Sequence, residues 1–350
     1  MLKTLLSEVK LFTLWGKITA QCNMRKKQIA IVSGGFSEER VISMKSCDFI
    51  ETWLDSTKYE TRVVLIDRNR WYDRDTGIDV DKSDFSIPIE GTKLIFDGVC
   101  LIIHGPPVED GQIQGYFNLL SIPHTTCDTF TSSLCFNKQA TKTYLKPFNI
   151  PMGNSIFLTR GALPTTTEMK KLGFPVFVKP NCHGSSFGIS KASNESELRD
   201  SCEKAYQYDR EILVEEFLEG REFSCGVVQH RGNTIPLPVT EIIPKTEFFD
   251  FAAKYEKMSE EITPAELPKE ISDECREISG RIYDLLNCRG MVRVDFILHR
   301  GKLKVLEVNT VPGLSPESII PAQAKAHGWS FSEFLDVVVE ETILNREENA

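Results

Sequence analysis

From residue 28 onward the chain alternates between short unbroken apolar runs and stretches with helical spacing. The runs are "QIAIVSGG", "YETRVVLID" and "GVCLIIHG", the last ending on His104 and Gly105. Apolar runs rich in β-branched residues and closed by glycine suit parallel strands buried on both faces. "SEERVISMKSCDFIETWLD", between the first two runs, reads as a helix. Strand, helix, strand in this order predicts an open α/β sheet, whose ligands gather at the carboxyl ends of the strands.

The texture then changes. A helix is expected over residues 132–144, followed by the turn "FNIPMGN". From "FPVFVKP" to "REFSCGVV" there are strands, a loop rich in Gly and Ser, and a helix, "NESELRDSCEKAYQYD". The last third adds a helix over residues 269–286 and two strands, "MVRVDFIL" and "LKVLEVN", joined by "HRGK". Residues 245–265 are long, irregular and mixed in charge, as a lid or binding loop is. In residues 1–23, Glu8, Lys10 and Lys17 interrupt the apolar run that a signal peptide needs, so this segment is expected to be an extension outside the working fold.

Composition narrows the functional classes. The chain has 350 residues, enough for two or three packed subdomains, with 41% apolar and 26% charged residues. Its net charge of −9 argues against a nucleic-acid backbone or an anionic membrane as the main partner. No apolar run is long enough to span a bilayer. The ten cysteines are scattered, without a Cys-x-x-Cys pair, and are expected to be free thiols in a reducing cytoplasm.

Candidate chemistry concentrates in four places. Side chains alternate along a strand, so "VRVDFIL" presents Arg293 and Asp295 on one face, and "LKVLEVN" presents Glu307 and Asn309 likewise. If those faces coincide, an all-oxygen cluster forms beside an arginine, a donor set that selects Mg²⁺ or Mn²⁺ over Zn²⁺. Direct opposition of Asp295 and Glu307 requires an odd-length turn or a bulge near Gly301. The plainer alternative is a solvated sheet face, against which the apolar surroundings count. Lys179 ends the strand before "NCHGSSFGIS", whose backbone N–H groups and hydroxyls could wrap phosphate; alone, such a Gly/Ser turn is commonplace. "ILVEEFLEGREF" could bind adenine through its backbone and ribose through Glu222, or be an ordinary strand and turn. In "SGGFSEER" a carboxylate could bind a substrate ammonium, or Ser37 could cap the helix with Glu38 and Glu39 at its positive end. His104 stands at a strand end where active-site groups of open sheets collect, although a lone histidine is more often structural.

Taken in order, "SGGFSEERVIS", "HGPPVEDGQIQG", "FPVFVKPNCHGSSFG", "FAAKY" and "VRVDFIL…LEVNTVPGLSPESIIP" resemble the D-alanine:D-alanine ligases of the ATP-grasp superfamily, over about residues 28–345. The resemblance implies an α/β (α+β) ATP-grasp fold whose N-terminal subdomain is an open parallel sheet. Its subdomains would be residues 24–124, 125–215 and 216–350, with the lid at about 245–265. It further implies ATP-dependent joining of two D-alanines through an acyl phosphate, a cytoplasmic setting and a homodimer. Lys138 and Lys179 would bind phosphate under a loop containing His183, Gly184, Ser185 and Ser186. Glu215, Glu216, Phe217 and Leu218 would line the adenine pocket, with Glu222 on the ribose. Lys254 would reach the γ-phosphate, and Asp295, Glu307 and Asn309 would hold two Mg²⁺ (or Mn²⁺) ions. Glu39 and His104 would take the ammonium of the first D-alanine, and Arg293 the oxygen of its reacting carboxyl. Gly313, Ser318 and the backbone at Ile319 would receive the second D-alanine, and Glu39, Ser185 and Tyr255 would tie the lid to the N-terminal subdomain.

Some positions depart from the family pattern: Val41 stands where an acid is common, "IPHTTCD" replaces the usual Tyr-Thr-Gly after Ile-Pro, and Cys182-His183 replaces pairs such as Arg-Glu. None removes a proposed metal or phosphate ligand. Two alternatives remain: a ligase whose second substrate is D-serine or D-lactate, with Tyr255 favouring an amine acceptor, and a catalytically silent nucleotide-binding module. The second would be expected to lack one of Asp295, Glu307 or Asn309.

Overall fold

The computed structural model describes residues 25–37, 39–184, 187–244 and 259–344. The expected N-terminal extension, Glu38, Ser185, Ser186 and most of the expected lid, including Lys254 and Tyr255, lie outside the described residues.

The first sheet has strand order β3-β2-β1-β6. Strand β1 (Lys27–Gly34) runs parallel to β2 (Tyr59–Ile66), and β3 (Trp71–Asp73) closes the edge antiparallel to β2. A separate hairpin, β4 (Ile87–Ile89) with β5 (Thr92–Leu94), precedes β6 (Gly98–Leu101), which is parallel to β1. Ile29, Ile31 and Val32 are fully buried, as is Ala30 between them, so β1 is covered on both faces. Helices α1 (Arg40–Trp53) and α2 (Gln112–Leu119) complete this region.

Residues 132–144 do not form one helix. Asn137 adopts an extended backbone that ends α3 (Thr129–Phe136), and its side chain accepts from the Ala140 N–H at 2.8 Å to cap α4 (Lys138–Leu145). Asparagine favours this position because its short side chain satisfies an otherwise orphaned helix N–H. The second sheet, in order β7-β10-β8-β9, is antiparallel. It comprises β7 (Ser155–Thr159), β8 (Val176–Pro180), β9 (Ser190–Ala192) and β10 (Glu211–Glu216). Helices α5 (Thr166–Leu172) and α6 (Glu195–Ala205) belong to it.

The third sheet has order β14-β13-β11-β15-β16, with β12 on β11. Its strands are β11 (Gly220–His230), β12 (Asn233–Pro236), β13 (Thr240–Pro244), β14 (Ser259–Ile262), β15 (Met291–His299) and β16 (Lys302–Asn309). Helix α7 (Lys269–Leu285) packs against it. Helices α8 (Ile319–His327) and α9 (Phe331–Val339) return to the first sheet, and Ile320, Phe334, Leu335 and Val338 share its core. Each such side chain contributes about 1.5–3 kcal/mol by burial, so this return fixes the first and third sheets against each other.

Eight of the nine described cysteines are buried, Cys182 is half-buried, and all are thiols. Among the described residues, no helix is long and apolar enough to cross a membrane.

Candidate active site

The turn between β15 and β16 has two central residues, Arg300 at φ 50° and Gly301 at φ 75°. Left-handed backbone at both central positions is what a two-residue hairpin turn needs to match strand twist. Pairing is regular from His299 and Lys302 up to Phe296 and Val305, after which the register shifts and Asp295 pairs with Glu307. Opposition therefore comes from a bulge at Leu306, five residues beyond Gly301, and not from the turn. Arg293 pairs with Asn309 in the same register, which brings all four groups onto one face.

Asp295 is almost fully buried and held on both oxygens. Arg293 donates to it bidentately, Nε to Oδ1 at 2.8 Å and Nη2 to Oδ2 at 2.7 Å. Ser224 Oγ donates to Oδ1 at 2.7 Å, and Asn309 Nδ2 to Oδ2 at 2.9 Å. Burial would lower the basicity of the Arg293 guanidinium, but the charge of Asp295 outweighs it and holds the group above its ordinary value. Behind this cluster, Gln323 on α8 donates to Ser224 O at 2.9 Å and accepts from Gly226 N–H at 2.9 Å, fixing β11.

Glu222 lies in the same region. Burial, then the charges of Asp295 and Glu307, push its carboxyl up to about 7. With Asn309 these carboxylates form an all-oxygen donor set, which fits a hard divalent cation. Among the described residues no three His, Cys, Asp or Glu side chains are grouped as a metal site.

The Gly/Ser-loop side is built on α4 and the second sheet. Lys138, the first residue of α4, donates to the His183 carbonyl at 2.8 Å. Asn181 anchors the same helix start, its carbonyl accepting from Lys138 N–H and its Oδ1 from Gln139 N–H. Glu215 sits between two lysines, Lys142 on Oε1 at 2.6 Å and Lys179 on Oε2 at 2.5 Å. Burial works to raise this carboxyl, but Lys179 and Lys142 hold it down at about 2. Glu216 instead accepts from the Asn154 N–H at 2.7 Å, and Phe217 stacks obliquely on Phe177 with centroids 5.4 Å apart.

The loop itself is braced by Tyr208. Its ring lies 5.5 Å from that of His183 and 6.2 Å from that of Phe187, and a Cβ on Gly188 (φ +72°) would strike it at 2.7 Å. Only glycine fits there. Asp209 accepts from the Cys182 N–H at 2.7 Å on the other side of the loop base.

Glu39 is the N-cap residue of α1 and buried, but its side chain does not cap the helix. Nor does Ser37 cap it in the expected way: its hydroxyl donates to the His104 carbonyl at 3.1 Å and accepts from Glu39 N–H. The Glu39 carboxylate reaches across to the Gly/Ser loop, where a Cβ on Gly184 would lie 3.3 Å from its Oε2. His104 Nδ1 lies 3.1 Å from the Val311 carbonyl, which places the proton on Nδ1 and ties the first sheet to the segment after β16. Glu109 stands 3.9 Å from the same nitrogen.

At the start of α8, Ser318 Oγ accepts from Ser315 N–H at 3.0 Å and lies 2.9 Å from Ser315 Oγ. A Cβ on Gly313 would meet it at 2.7 Å, so glycine is needed for this approach. Ile319 begins the helix, whose N-terminal N–H groups favour a carboxylate.

These elements enclose one cleft of about 1470 Å³. Pockets for a single small ligand span about 300–1,000 Å³, so this one has room for a nucleotide and further small molecules. It brings together Glu39, His104, Lys138, Lys179, His183, Gly184, Glu215, Glu216, Phe217, Leu218, Glu222, Arg293, Asp295, Glu307, Asn309, Gly313, Ser318 and Ile319. Sequence reasoning missed Lys142, Ser224, Glu109, Gln323 and Tyr208. Lys142 alone carried a signal, four residues after Lys138 and so on the same helical face.

Family models match almost end to end: "D-ala D-ala ligase N-terminus" over residues 28–127 and "D-ala D-ala ligase C-terminus" over residues 144–340. The D-alanine–D-alanine ligase of Flavobacterium johnsoniae is 43% identical over 318 residues, 90% of this chain and 98% of its own. Among solved structures, the VanG D-Ala:D-Ser ligase of Enterococcus faecalis superposes with a TM-score of 0.80 at 31% identity, covering 90% of this chain and 99% of its own. The D-alanine–D-alanine ligase of Bacillus anthracis complexed with ATP gives 0.74 at 30% identity, covering 93% of this chain and 100% of its own.

Proposed function

The chain belongs to the D-alanine–D-alanine ligase family, and we propose the division of labour by which its cleft joins two D-alanines at the expense of ATP for peptidoglycan synthesis. The observation that carries it is the convergence of two lysines, a paired Asp–Glu face and a buried arginine on one cleft.

A carboxylate is a poor acyl donor, so a carboxylate oxygen of the first D-alanine attacks the γ-phosphorus and ADP leaves. The free amine of the second D-alanine then attacks the acyl carbon and gives up a proton to water, the C–O bond breaks, and phosphate departs with the former carboxylate oxygen. Lys138 and Lys179 hold the phosphates, with the loop from His183 over them, in a step that depends on positioning and charge. Phe217 and Leu218 border the adenine and Glu222 the ribose. Asp295, Glu307 and Asn309 would hold two Mg²⁺ (or Mn²⁺) ions, which offset triphosphate charge when bound. Arg293, fixed by Asp295, directs a guanidinium at the oxygen on which negative charge develops. Glu39 and His104 take the first ammonium, while Gly313, Ser318 and the Ile319 N–H receive the second carboxylate. Lys254, Tyr255, Ser185 and Ser186 are assigned to the lid and loop by the family resemblance, as are a homodimeric state and a cytoplasmic location.

D-Alanine labelled with oxygen-18 in its carboxylate tests the sequence of steps. One label per turnover is expected in the released phosphate; phosphate without label would contradict the acyl phosphate. The likeness to a D-Ala:D-Ser ligase supports a second reading, with D-serine as acceptor, which competition between the two amino acids distinguishes.

A further inference from the structure

Lys142 lies outside the set of groups given roles above, yet it is part of a paired buried cluster in the cleft. It projects from α4 one turn beyond Lys138, and Glu215 is reached from the other side by Lys179. The sheet register explains the meeting. Lys179 on β8 pairs with Leu213 on β10, two residues from Glu215, so the two side chains share a face as diagonal neighbours. Each carboxylate oxygen takes one lysine, and all three side chains are less than one-fifth exposed. Two cations on one anion leave a surplus of one positive charge facing the cleft.

We propose that Lys142 is a positioning residue of the nucleotide site, keeping Glu215 paired so that Lys179 can turn from the carboxylate to a phosphate. This rests on the nucleotide reading of the cleft. With Lys142 gone, Lys179 and Glu215 form a closed neutral pair. Releasing Lys179 to an anion would then strand a buried carboxylate, which is strongly unfavourable. With Lys142 present, Glu215 keeps one partner throughout, and the surplus charge meets the phosphate.

The test is ATP binding by calorimetry together with steady-state kinetics on the full-length protein. Lys142→Met is expected to weaken ATP binding and raise the KM for ATP about 10-fold, equivalent to about 1.4 kcal/mol, with the KM for D-alanine little changed. Lys142→Arg should restore most of the affinity. The decisive variant is the double substitution Lys142→Met with Glu215→Gln, which removes the anion that captures Lys179. It is expected to bind ATP more tightly than Lys142→Met alone. A double variant no better than the single, or a defect shared equally by the D-alanine KM, would overturn the proposal. Circular dichroism checks that the single variant folds. If Lys142→Met fails to fold, Lys142→Gln takes its place with the same expectations. Failure of the wild-type protein to bind ATP would instead overturn the nucleotide reading.

Discussion

Asp295 stands opposite Glu307 across β15 and β16 although a two-residue turn joins the strands, because Leu306 is left out of the pairing. In an unbulged hairpin with this turn, Leu306 would face Asp295 and Glu307 would point to the other side of the sheet. The bulge thus aims the carboxylate pair, and with it Asn309, at the cleft.

The pair should therefore govern the divalent-ion requirement. Glu307→Gln is expected to raise the Mg²⁺ concentration for half-maximal activity about 10–100-fold, the range seen when the surroundings of a metal are disturbed. A magnesium titration at saturating ATP and D-alanine checks this; an unchanged midpoint would remove Glu307 from the ion site.

Arg293→Lys keeps the charge but loses the fork that grips both oxygens of Asp295. kcat is expected to fall by about 10²–10³, the cost of losing one donor to a developing anion. A drop of less than about threefold would show that a point charge suffices there.

Glu215 gives a pH signature. Its carboxyl is held down from an ordinary 4.5 to about 2 by Lys179 and Lys142, against the effect of burial. A depressed carboxyl stabilises the fold fully above its unfolded value and stops doing so as pH falls through its folded value. Glu215→Gln should cost about 3–5 kcal/mol at pH 7, since it leaves buried lysines without their anion. That deficit should shrink below pH 4.5 and vanish near pH 2. Urea denaturation of both proteins across this range measures it, and a constant difference would contradict the pairing.

Tyr208→Ala removes the ring that packs on His183, Phe187 and Gly188. Aromatic pairs contribute about 0.5–1.5 kcal/mol each, so the KM for ATP is expected to rise about 3–10-fold. Tyr208→Phe should retain the wild-type value, because the expected effect is one of packing; a phenylalanine variant as poor as alanine would point to the hydroxyl instead.

What could be read in the sequence was whatever local pattern determines. The buried strands of the first sheet announce themselves through unbroken β-branched runs, and the oxygen ligands through polar residues alternating within apolar strands. The role of Glu215 was not legible in that way. β10 lies between β7 and β8, and Lys142 comes from α4, so the two lysine partners of Glu215 lie 73 and 36 positions away along the chain (215 − 142 and 215 − 179). No local spacing encodes that sheet order. The break at Asn137 was readable in principle, since asparagine before "KQAT" is a helix-start signal, but the helical spacing on either side masked it. The bulge at Leu306 was required by the chemistry, yet its position was not determined: a hairpin can absorb one extra residue at several points along the strand.

The most direct test of the account is phosphate release from ATP and Mg²⁺ with D-alanine, L-alanine, D-serine and D-lactate, each alone and paired with D-alanine. Strong release is expected with D-alanine alone, with D-alanyl-D-alanine formed in equal amount, and none with L-alanine. Release confined to a mixed pair would move the acceptor to D-serine or D-lactate. Silence in every mixture from a protein that binds ATP would contradict the ligase assignment itself.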